Sequence, residues 1–211
     1  MRRHFTPGSA SNTDFYRLLT AVVVPRPIAW VSSRSASGVD NLAPHSFFTV
    51  ASVSPPIIQF TSVGHKDSVR NIEQTGEFVV SFAPEDLFEE VNATGTAFPP
   101  EVSEFDAVGI AREDSAVVGP PRVAQSPVAL ECRLHSMQEM GNCTLVFGEV
   151  VHAAILEDVL DGDHPRIDRM RPLTRLGLEQ WGTVAGLRSI SRIPVHEWPG
   201  HFAAGGHSTV S

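Results

Sequence analysis

The feature that most constrains this chain is a series of short β-forming segments cut apart by proline, glycine and asparagine, with no regular alternation of strand and helix. Segments 28–33 (IAWVSS), 46–53 (SFFTVASV), 57–63 (IIQFTSV) and 77–83 (EFVVSFA) are rich in Val, Ile, Phe and Thr, which suit a pleated, half-buried surface. Two longer segments follow, 128–137 (VALECRLHSM) and 144–156 (TLVFGEVVHAAIL), with Gly141-Asn142 as the turn between them. Parallel strands need a crossover, usually a helix, after each strand. Roughly six strands without that rhythm predict a mainly β, antiparallel barrel with flanking helices.

Helices are expected in three places. DFYRLLTA, after the caps Asn12 to Asp14, forms one that stops before Pro25. KDSVRNIEQTG has Asp67 as N-cap and Gly76 just past its end. APEDLFEEVNATG carries Pro84 in its first turn. Region 96–125, rich in Pro, Gly and Ala, reads as a long irregular connection. Residues 1–13 read as a flexible N-terminus and 14–187 as the folded domain; 188–211 lose periodicity and read as a tail or a partner-wrapping arm.

Composition closes off several functions. A formal net charge of −8 argues against non-specific nucleic-acid binding, which needs a basic face. No apolar run reaches the ~18–20 residues of a membrane span, and MRRHFTPGSASNTDF lacks the apolar core of a signal peptide. Cys132 and Cys143 are expected as free thiols in a reducing cytoplasm. The glycine fingerprints of dinucleotide and phosphate-binding loops are absent, as are G-x-S-x-G and H-E-x-x-H. No two of the 9 histidines share a metal-binding spacing within one element, and His196, His201 and His207 read as solvated loop residues.

The chemistry concentrates in residues 25–76. Of 16 basic residues only Lys66 is lysine, and it stands in His65-Lys66-Asp67-Ser68 at a predicted helix start. Unsatisfied N–H groups there, with a lysine and hydroxyls, make an anion site. The turn-like Asn41-Leu42-Ala43-Pro44-His45-Ser46 would set backbone N–H groups against a flat polar edge, with Trp30 and Phe47 as apolar walls. An anionic, planar, polar-edged ligand such as FMN fits that inventory. Singly, each residue also has an ordinary structural use: Trp30 in a core, Asp67 as a cap, Ser32-Ser33-Arg34 in a turn.

PRPIAWVSS, NLAPHSFF, the following Ser-Pro-Pro and KDS-x-x-N-x-x-x-TGEFVV resemble the flavin reductase-like proteins, which have the FMN-binding split-barrel fold of Greek-key type. PPRVAQSPVALEC, LVFGEVV and RPLTRLG continue the likeness, over roughly 14–182. The resemblance implies a homodimer with FMN in a cleft at its interface. Trp30, Ser32 and Ser33 would line the ribityl and phosphate side. Asn41, Ala43, Pro44, His45, Ser46 and Phe47 would meet the isoalloxazine edge. Ser62, Lys66, Asp67 and Ser68 would hold ribityl and phosphate oxygens, with Asn71 nearby and Arg175 approaching from the C-terminal side. The chain departs from the family's R-L-G-G-x-x-Y in having Leu178 and Trp181.

The resemblance further implies hydride transfer from NADH or NADPH to flavin, with the reduced flavin supplied to a partner monooxygenase. An FMN-holding electron carrier of flavoredoxin type, inert to nicotinamides, shares the same site residues. A split barrel that has lost FMN is disfavoured by the intact Ser32-Ser33 and Lys66-Asp67-Ser68 set. No proton-transfer catalyst is required; His45 and His152 are the candidates if there is one.

Overall fold

The computed structural model describes residues 1–7, 11–184 and 186–198. Its main sheet has strands β1 (Ala29–Arg34), β2 (Asp40–His45), β3 (Phe48–Ser52), β4 (Ile57–Val63), β5 (Glu77–Phe82), β6 (Val128–Met140) and β7 (Cys143–Ile155). They lie in the order β2-β1-β5-β6-β7-β4-β3, and every pairing is antiparallel. The helices are α1 (Asn12–Val22), α2 (Asp67–Thr75), α3 (Phe88–Ala93), α4 (Glu104–Val108) and α5 (Ile167–Met170).

The two edge strands, β2 and β3, are consecutive in sequence, with only Ser46 and Phe47 between them. Laid flat, seven strands would hold their edges roughly 29 Å apart at the usual spacing. The link from His45 to Phe48 reaches about 11 Å at most. The sheet therefore has to curl until its edges meet, and it closes as a barrel with an unpaired seam. Phe47 continues the β3–β4 ladder, its carbonyl accepting from Thr61 N–H (2.8 Å), and across the seam the His45 ring packs on Phe60 with centroids 4.6 Å apart.

Alternation along the strands sorts side chains into two apolar layers. Ala29 and Val31 of β1 point into the barrel with Phe60, Phe78, Val80 and Val146. Trp30 points the other way, onto Leu42, Val91 and Phe105 beneath α3 and α4. Val69 and Ile72 of α2, both fully buried, join the first layer. At roughly 1.5–3 kcal/mol per buried large apolar side chain, the two layers anchor α2 and β2 on either side of the seam.

The structure redraws several expected boundaries. The segment expected as one strand over 46–53 is broken at Ser46-Phe47, and the expected turn at 41–45 is strand β2. Pro44 disguised it: proline is tolerated in a sheet only at an edge, which is where β2 lies. Ser11, not Asn12, caps α1 by accepting from Asp14 N–H at 3.1 Å. Lys66 occupies the N-cap of α2, and Asp67 stands in its first turn, paired with Arg70 at 2.6 Å. Pro84 precedes a 3₁₀ turn, Glu85–Leu87, that runs into α3. The connection 96–125 contains α4 and a two-stranded ribbon, Arg112–Glu113 with Arg122–Val123. Gly141 turns β6 into β7 with φ 63°, and both cysteines are free. Residues 8–10 of the N-terminal stretch 1–13, and those of the expected tail from 199 onward, with His201 and His207, lie outside the described residues.

Gly148 of β7 is required by packing rather than by backbone conformation. A Cβ built there would stand 2.2 Å from Phe78 Cζ and 3.2 Å from Cys132 Cβ, both in the barrel core. Gly148→Ala is expected to destabilise the fold by about 3 kcal/mol or more, read as a lowered urea midpoint. Adding Phe78→Leu should recover part of that loss, and an unchanged midpoint for Gly148→Ala alone would contradict the packing assigned here.

Candidate functional site

A cavity of about 320 Å³ opens along the seam, in the size range of small-molecule sites. One wall is β2 and its link: Asn41, Ala43, Pro44, His45, Ser46 and Phe47. The opposite wall is the end of β4 and the start of α2: Ser62, Lys66, Asp67 and Ser68. Curling brings these segments together, although some twenty residues separate them in the chain.

Ten of the expected residues thus line this cavity, six on the first wall and four on the second. The other five expected residues lie elsewhere. Trp30 is fully buried in the outer apolar layer, its indole N–H donating to Thr94 Oγ1 at 2.9 Å. Ser32, also fully buried, donates to the Pro121 carbonyl at 2.5 Å. Ser33 accepts from Asn71 Nδ2 at 3.2 Å, and Asn71 in turn lines a neighbouring cavity of about 260 Å³. That cavity shares Asn41, Asp67 and Glu104 with the first. Arg175 lies in a third, of about 220 Å³, which shares Pro44, Ser46 and Gly95 with the first. Trp30 and Ser32 line none of the three cavities: both lie on the outer face of β1, which α3, α4 and the chain at Pro121 cover. His152 lines none of the three cavities.

The α2 end gathers positive charge. Its N-cap, Lys66, makes no side-chain capping bond, so first-turn N–H groups face the cavity without a cap. Lys66 is exposed and, among the described residues, has no carboxylate partner, since Asp67 beside it is held by Arg70. Partial positive charge at the helix start and an uncompensated ammonium thus meet at one spot.

The β2 wall offers fewer backbone donors than expected. Leu42 N–H points away from the β1 ladder and donates to Glu104 Oε2 at 2.8 Å. Pro44, two residues on and facing the same way, has no N–H. Donors toward the cavity are therefore confined to Ser46 and Phe47, whose amides have no backbone acceptor among the described residues. Glu104 is buried, and that burial raises its pKa. It and Tyr16, Thr61 and the 94–98 loop are lining residues that sequence reasoning missed. Glu104 stands in the stretch taken for irregular connection, so no local pattern marked it.

His45 is buried, 3.4 Å from Ser68 Oγ. Burial first, and then the charge of Lys66, lowers its pKa to about 4. In the unfolded chain a histidine takes up its proton near pH 6.5. The stability that neutral His45 contributes is thus complete above about pH 6.5 and is lost as the pH falls toward 4. Urea unfolding across that window should show a loss of up to about 3 kcal/mol that His45→Asn abolishes. An identical pH profile in the variant would contradict the assignment.

The Flavin reductase like domain matches residues 21–173 of the chain. An uncharacterized protein of Aquifex aeolicus is 38% identical over 179 residues, covering 82% of this chain and 91% of its own. Nitrilotriacetate monooxygenase component B from Bacillus cereus superposes with a TM-score of 0.87 at 28% identity, covering 90% of this chain and 99% of that one. The 2-nitrobenzoate 2-nitroreductase of Pseudomonas fluorescens does so at 0.84 and 31% identity, covering 92% and 97%. With its seamed antiparallel barrel, the chain belongs to the flavin reductase-like family.

Proposed function

We propose that the seam cavity binds FMN and that the protein is a flavin reductase taking hydride from NADH or NADPH, within a homodimer, to supply reduced flavin to a partner monooxygenase. The observation that carries the reading is Lys66, uncompensated at the uncapped start of α2 and opening on a cavity of small-molecule size. Lys66, Ser68 and the first-turn amides of α2 would hold the phosphate, and Ser62 the ribityl hydroxyls. Ser46 and Phe47 amides would face the polar edge of the ring system. FMN supplies the two-electron chemistry when bound. The chain's own part is to fix its orientation and to donate hydrogen bonds where negative charge develops.

His45, held neutral, supports the ring wall without adding a second cation beside Lys66. Cys132 has no part in the reaction, because burial raises its pKa and keeps it a thiol. Membership of the family and the likeness to a monooxygenase component B support the reductase reading and the partner. Exposed apolar side chains on α1 and β3, among them Leu19, Val22 and Val50, support a second copy covering that face.

Anaerobic mixing of the FMN-loaded protein with NADH and NADPH separately tests the activity. Rapid loss of the oxidised flavin band with either donor is expected, with repeated turnover in air. Bound flavin that neither donor reduces would replace the reductase by an electron carrier. Lys66→Ala should weaken FMN binding by about tenfold or more, the worth of a charge-assisted contact; unchanged affinity would remove Lys66 from the phosphate site. Light scattering should give a dimer mass, and a monomer would contradict the shared-cleft assembly.

A further inference from the structure

The third cavity, of about 220 Å³, lies against the first but is chemically distinct. Ile28, Pro44 and Trp181 give it apolar walls, and Ser46, Asn92 and Arg175 are its polar groups. The Arg175 guanidinium lies over the Trp181 ring at 4.7 Å, and its Nη2 donates to the Leu178 carbonyl at 2.9 Å. Trp181 is itself held edge-on by Phe88, with centroids 5.3 Å apart. Leu178 takes a left-handed φ of 54°, which costs a non-glycine residue energy. The strained loop thus presents the carbonyl that holds Arg175 in place.

The charge here is unbalanced. Arg34, Arg112 and Arg122 elsewhere in the barrel are paired with Asp40, Asp106 and Glu113. Arg175 has no carboxylate partner among the described residues, and it stands directly opposite Arg26 on paired strands. Like charges facing each other across a ladder are destabilising. Arg26 is buried and spends its donors on the carbonyls of Thr20, Val23 (3.2 Å) and Leu176 (2.7 Å), with Nε 3.5 Å from Ser46 Oγ. Arg26 thus reaches Ser46, Arg175 lines the same cavity as Ser46, and no carboxylate among the described residues pairs with either guanidinium.

We infer that this cavity binds the carboxylate of a small planar organic acid, with Arg175 as its cation, Ser46 and Asn92 as flanking donors, and Trp181 and Pro44 against the flat body of the ligand. A planar guanidinium fork suits a carboxylate, and the apolar walls suit a ring better than a bare, strongly hydrated anion. The site adjoins the proposed flavin cavity, with which it shares Pro44 and Ser46, whereas Arg175, Asn92 and Trp181 line this cavity and not that one.

Isothermal titration of the full chain, without flavin, tests it with benzoate, benzamide and inorganic phosphate as probes. Benzoate should bind at least about tenfold more tightly than benzamide, and Arg175→Gln should lose about tenfold or more. Arg175→Lys, which keeps the charge and loses the fork, should fall between the two. Equal binding of benzoate and benzamide, no binding of benzoate, or phosphate binding as tightly as benzoate would overturn the proposal. A parallel FMN titration separates the two sites: loss of FMN affinity in Arg175→Gln equal to the loss for benzoate would place Arg175 in the flavin site and overturn it as well.

Discussion

The fold depends on a geometric constraint at Ser46-Phe47. Two residues join the outermost strands of a seven-stranded sheet, and a link that short forbids the sheet from lying flat. Curling satisfies the link and encloses the apolar inner face, while leaving a seam that the strands do not bridge. The cavity is a consequence of that closure. It lies where β2 faces the end of β4 and the start of α2, so barrel formation and site formation are one event.

A seam exposes strand edges, which other chains can pair with. Here β2 is protected by Glu104, which takes the Leu42 N–H, and by Pro44, which has none to offer. The same two residues leave Ser46 and Phe47 as the available donors on that wall. Arg26 secures the link from behind, joining the carbonyls at the end of α1 to the chain at Leu176 and lying 5.9 Å from the Phe47 ring. Edge protection and the backbone donors of the cavity thus draw on one short stretch of chain.

Much of this was legible in the sequence. The strands from β4 to β7 followed from β-branched and aromatic runs, and α2 from its capping glycine and apolar spacing. The single lysine pointed to the start of α2, where the seam cavity lies, without any knowledge of its surroundings. What escaped was what depends on tertiary position. Pro44 reads as a turn former until its strand is known to be an edge. Trp30, Ser32 and Ser33 carry residue types suited to a ligand, but alternation puts Trp30 and Ser32 on the outer face of β1, where α3, α4 and the chain at Pro121 cover them. Glu104 and the 94–98 loop reach the cavity from a region with no periodic pattern, so only the folded chain reveals them.

The central claim, that the α2 terminus and Lys66 receive a phosphate at the barrel seam, is tested most directly by comparing FMN with riboflavin, which differ by that phosphate alone. Fluorescence titration of the wild-type chain should show FMN binding at least about tenfold more tightly, with the advantage shrinking as salt is raised. Equal affinity for the two flavins would contradict the account, because the charge gathered at α2 would then serve no ligand in that cavity.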